Sequence, residues 1–61
     1  MLKHTCIIVD DDTVDLLMNV SMVRKVPFLD LLGTFSSSLE AAQFLQTNQV
    51  EVLFLDIDMP E

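Results

Sequence analysis

Sixty-one residues, 51% of them hydrophobic, with ten acidic against three basic side chains and a formal net charge of -7, describe at most one small acidic domain. That balance argues against nucleic-acid contact by this segment, because phosphates need a positive face, and it favours a cation as partner. A single Cys rules out an internal disulfide, and no run reaches the roughly 20 apolar residues of a membrane helix. The start Met1-Leu2-Lys3-His4 lacks the basic, apolar and small-residue order of a signal peptide, so a cytoplasmic protein is expected. One Gly, two Pro and no low-complexity run mark a chain that folds, although a domain this small buries only about 60% of its extended surface.

Thr5 to Val9 is apolar, rich in β-branched residues and without polar alternation, which predicts a strand β1 covered on both faces, as in parallel sheets. Cys6 reads as a small core residue in a reducing compartment, and His4 as a strand-edge residue without metal-spaced neighbours. From Asp12 the period changes. Asp12 suits an N-cap, Asp15 adds negative charge to the first turn, and a helix α1 runs to about Lys25 before Pro27 stops it. Leu16, Leu17, Val20 and Val23 form one stripe suited to the sheet. Val14, Met18 and Met22 form a second, spare stripe at i, i+4, i+8 spacing, open either to a neighbouring helix or to a docking partner.

Phe28 to Phe35 predicts a second strand β2, with Gly33 at a bulge or a close backbone approach. Ser37 and Glu40 have capping-box spacing and open a helix α2 that runs through about Thr47 with Ala41, Ala42, Phe44 and Leu45 on its apolar face. Asn48-Gln49 close it, and Glu51 to Leu55 form a third strand, β3. Strands alternating with helices give a parallel α/β sheet with right-handed crossovers. Because β1 and β3 are both strongly apolar and both run into carboxylates, they are expected side by side, with strand order 2-1-3 and a crevice at their carboxyl ends.

That order brings Asp10 or Asp11 close to Asp56 across strands about 4.8 Å apart. Two such charges at roughly 4 Å repel by about 4 kcal/mol at an effective dielectric of 20, so the group is expected to take up protons or a cation. All-oxygen donors favour Mg²⁺ over Zn²⁺, since the only His and Cys lie elsewhere. A carboxylate beside such an ion can also attack phosphorus to give an acyl phosphate.

Ile7-Ile8-Val9-Asp10-Asp11-Asp12 followed by Leu53-Phe54-Leu55-Asp56-Ile57-Asp58-Met59-Pro60 resembles the two signature stretches of the receiver domain of bacterial two-component response regulators. The interval between them is about what β1-α1-β2-α2-β3 occupies in that family, and the resemblance covers the whole chain. It implies the first half of a flavodoxin-like, doubly wound parallel sheet. It also implies that Asp56 is the phosphoacceptor from a sensor histidine kinase or phosphotransfer domain. Mg²⁺ would be bound by the side chains of Asp11 and Asp56 and the backbone carbonyl of Asp58, with Asp10 acting through a water. Met59-Pro60 would shape the loop after β3. The α1 surface of Val14, Asp15, Met18 and Met22 becomes the kinase-docking face.

Residues 1–61 then read as the N-terminal half of a receiver, ending after the β3 motif, without the family's Ser or Thr after β4 and Lys after β5. Such a chain could hold the acceptor and metal ligands but not the full switch. Its strand β3 would be an apolar edge, and a homodimer or strand-exchanged oligomer through that edge is expected. Two other readings compete. One is a pseudo-receiver that only binds partners. The other is a haloacid dehalogenase-like phosphatase, because Asp10-Asp11-Asp12-Thr13-Val14 fits its first motif with Asp10 as nucleophile and Asp12 as acid/base. The wording around Asp56 is similar to that of receivers attached to LytTR-type DNA-binding domains.

Overall fold

The computed structural model describes residues 2–56, with Asp56 described by its backbone alone. The chain runs β1 (His4–Asp10), α1 (Thr13–Arg24), β2 (Leu29–Phe35), α2 (Ser38–Thr47) and β3 (Val52–Asp56). All pairings are parallel and the strand order is β2-β1-β3, as the two carboxylate-ended strands led us to expect.

β1 is the beam of the molecule. Cys6, Ile7 and Ile8 are fully buried and Val9 nearly so, because alternate residues of this central strand feed two separate cores. Cys6 and Ile8 pack with Val23, Leu16 and Val20 of α1 and with Leu29, Leu31, Val52 and Phe54 of the flanking strands. Ile7 and Val9 point the other way, onto Ala41 and Phe44 of α2, Phe35 and Val50. The helices therefore lie on opposite faces of the sheet, the arrangement required when successive right-handed crossovers reverse direction past β1. Each fully buried aliphatic side chain contributes about 1.5–3 kcal/mol, so a few residues of one strand carry much of the fold. Burial pushes the Cys6 thiol up, with the Asp30 carboxylate adding to the shift, which leaves it an inert core residue.

Both helices begin as their caps dictate. The Asp12 side chain accepts from the N–H groups of Val14 and Asp15, and Ser37 Oγ accepts from those of Leu39 and Glu40, satisfying donors that have no partner within the helix. At the other end of α2, Asn48 Nδ2 donates to the carbonyl of Phe44 at 2.9 Å.

The register of β1 with β2 slips between Cys6 and Ile7, so that Cys6 pairs with Leu31 and Ile7 with Gly33, leaving Leu32 as the extra residue of a bulge. The slip changes which face the rest of β2 presents. Leu29 and Leu31 join the α1 core, whereas Phe35 joins the α2 core, where its ring lies 5.2 Å from that of Phe44. A Cβ on Gly33 would sit 3.4 Å from the Phe35 ring, an ordinary van der Waals contact, so the ring folds back over the strand beside this position.

Two packing expectations are corrected. Leu17, assigned to the sheet-facing stripe, is 65% exposed, because the inward direction of α1 is centred on Leu16, Val20 and Val23 and Leu17 lies outside it. In α2, Ala41 and Phe44 face the core, but Ala42 and Leu45 are exposed, since a single sheet face accepts only a narrow stripe of a short helix.

Candidate functional site

The carboxyl ends of β1 and β3 meet at one rim. Asp10 pairs in register with Asp56, so the last residues of two adjacent parallel strands are both aspartates, with backbones about 4.8 Å apart. Reversal of chain direction between β2-β1 and β1-β3 makes this rim the topological switch point, where open α/β sheets bind ligands.

The acidic residues here differ sharply in setting. Asp10 is 2% exposed; its Oδ1 accepts from the Asp12 N–H at 2.9 Å and its Oδ2 from Asn19 Nδ2 at 3.4 Å. Asp11 is exposed on the bend that follows β1. Asp12 is occupied by its capping bonds, from Val14 at 2.9 Å and Asp15 at 3.3 Å through the same oxygen. The Asp15 carboxyl is held above the ordinary aspartate range, first by the charge of Asp12, then by slight desolvation and by Asp10 and Asp11. The rim is thus a region of negative potential.

These donors fit a hard divalent cation. They are all oxygens, and Asp10 has two of roughly four lone-pair positions occupied. The softer ligands are remote: Cys6 and His4 lie four and six residues back along β1, about 13 and 20 Å at the rise of a strand. Among the described residues no group of three or more His, Cys, Asp or Glu converges to hold a metal. The Asp56 side chain, Asp58, Met59 and Pro60, which the sequence singled out, lie outside the described residues.

On α1, Val14, Met18 and Met22 are 65, 59 and 62% exposed, so the spare stripe is free on this chain, with exposed Asp15 beside it. Leu17 extends that stripe and was missed by the sequence pattern. Asn19 was missed as well. Its signal was an amide on the inward face of α1 between Leu16, Val20 and Val23, where an apolar residue is the rule.

A parallel sheet of order 2-1-3 with a helix on each face and aspartates ending β1 and β3 matches half of the flavodoxin-like fold seen in receiver domains. The structure is similar to that of RcsB from Salmonella enterica serovar Typhimurium, bound to promoter rprA in the presence of phosphomimetic BeF3⁻, with a TM-score of 0.83 and 24% identity over 95% of this chain and 29% of that one. In sequence, 39 residues are 36% identical to Transcriptional regulatory protein YpdB of Escherichia coli K12, and the protein of that name from Shigella flexneri gives the same figures. The matched stretch is 64% of this chain and only 16% of either relative. No family profile matches the chain. No helix among the described residues is long and apolar enough to cross a membrane.

Proposed function

We propose that the chain is the N-terminal half of a receiver module in a two-component phosphorelay, with Asp56 as the phosphoacceptor. The observation that carries this reading is the register of Asp10 with Asp56 at the switch point of the sheet. The Asp56 carboxylate attacks the phosphorus of a kinase phosphohistidine: an O–P bond forms, the P–N bond breaks, and the electron pair leaves on the imidazole. Mg²⁺ would be held by Asp11, Asp56 and the Asp58 carbonyl, with Asp10 reaching it through a water, and when bound it offsets charge on the transferring group. Asp10 orients within the rim, while Asp12 stays committed to capping α1.

The kinase helix or phosphotransfer domain would dock on Val14, Met18, Met22 and the adjoining Leu17, with Asp15 at the border; the apolar exposure of this stripe supports that choice. Leu53 and Leu55, 43 and 50% exposed on the outer strand β3, support association of two copies through that edge. The acidic balance supports a role without direct nucleic-acid contact by these residues.

Incubation with acetyl phosphate and Mg²⁺ should add one phosphoryl group by intact mass, and Asp56→Asn should abolish it. Labelling that survives Asp56→Asn and is lost with Asp10→Asn would favour the phosphatase reading instead. That reading is weakened by the burial of Asp10 with both oxygens bonded, and by the engagement of Asp12 as a cap. The partner-only reading predicts no Mg²⁺ binding at millimolar concentration.

A further inference from the structure

We infer that Asn19 is a positioning residue for the Asp10 carboxylate, and through it a determinant of cation affinity at the rim. This rests on the Mg²⁺ reading above. Asn19 sits on α1 beside Leu16, Val20 and Val23, the three residues that pack on the sheet. An amide in a half-buried place among them is unfavourable unless it is hydrogen-bonded. A leucine there would extend the apolar stripe. The amide makes its bond to Asp10 Oδ2, over 3.4 Å.

The bond matters because of what Asp10 otherwise has. Its carboxylate is 2% exposed, and among the described residues its other oxygen accepts only from the Asp12 N–H. That donor lies two residues away in sequence and moves with the turn after β1. Asn19 approaches from the second turn of the following helix. One donor leaves the carboxylate free to rotate about the bond to Oδ1; two donors on separate oxygens, from separate elements, fix its plane. They also leave about one lone pair on each oxygen for a cation or its water. Outer-shell partners that fix a carboxylate in this way typically change metal affinity 10–100-fold when removed.

The test is titration of the 61-residue chain with Mg²⁺ alone by calorimetry, with thermal melting of each variant alongside. Asn19→Leu is expected to melt at or above the parent temperature yet bind Mg²⁺ about tenfold more weakly, the low end of the outer-shell range. Asn19→Ala, which raises helix propensity without adding apolar volume, should weaken binding equally, so the result does not depend on how a leucine packs. Asn19→Gln, which restores a donor, should recover most of the affinity. Affinities of the Leu and Ala variants within twofold of the parent would overturn the role of Asn19 while leaving the metal site standing. A parent that binds no Mg²⁺, or full affinity in Asp11→Asn, would overturn the metal reading and this inference with it.

Discussion

The two ends of β1 solve opposite problems. At its amino end the chain closes on itself: the Thr5 N–H donates to Glu51 Oε1, the Glu51 N–H donates to the Thr5 carbonyl and hydroxyl, and Thr5 Oγ1 donates to the Gln49 carbonyl. His4 Nδ1 lies 3.4 Å from the same Glu51 oxygen, an exposed pair that adds little. An open depression of about 400 Å³ lies here, lined by Thr5, Gln49, Val50 and Glu51, but Thr5, Gln49 and Glu51 already bond one another. At the carboxyl end, about 16 Å away along the strand, carboxylates gather and acceptor positions remain open. Satisfied polar groups stabilise one end; like charges crowd the other, the end to which the proposed function assigns a cation.

Both ends hang from the same buried strand, so the largest effect comes from cutting it. Ile8→Ala should cost about 2–5 kcal/mol, the usual range for removing a buried aliphatic side chain, read as a shift of the urea midpoint. A loss under about 1 kcal/mol would contradict the central role of β1. Next, Asp11→Asn at the open end should leave stability within about 0.5 kcal/mol, as for an exposed site. The same change should weaken Mg²⁺ binding at least as much as the 10–100-fold typical of outer-shell partners. Thr5→Val at the closed end should do the reverse, costing about 1 kcal/mol for its hydroxyl bonds with Mg²⁺ affinity unchanged. If each substitution altered both properties, the division between the ends would fail.

The smallest effect is the most local. Asp15 titrates above the ordinary aspartate range because Asp12, slight desolvation, Asp10 and Asp11 disfavour its charge. Its folded value is raised, so its contribution to stability is fully present below the unfolded value and is lost as pH rises through the folded one. By carboxyl ¹³C NMR, Asp12→Asn or added Mg²⁺ should lower the Asp15 midpoint. An unchanged midpoint in both would mean that the rim charges do not reach it.

Much of this was legible before folding was considered. Strand order followed from two unbroken apolar runs ending in carboxylates, and the helix starts from Asp12 and Ser37 followed from short polar side chains that satisfy free N–H groups. What escaped depends on geometry that composition does not encode. Leu17 is as apolar as Leu16 and differs only in angular position. Gly33 does mark a bulge, one of the two readings its place in β2 allowed, but that the extra residue Leu32 turns Phe35 to the other face is not encoded in the regular alternation along the strand. The role of Asn19 is not encoded in the apolar periodicity of the helix, because its partner lies on another element.

The central claim, that the carboxyl rim of β1 and β3 is the cation-binding end, is tested most directly by following backbone amide resonances during a Mg²⁺ titration. Saturable shifts are expected at Asp10, Asp11, Asp12 and Asp56, with Thr5 and Glu51 unmoved. No saturable shift at the rim, or larger shifts at Thr5 and Glu51, would contradict it.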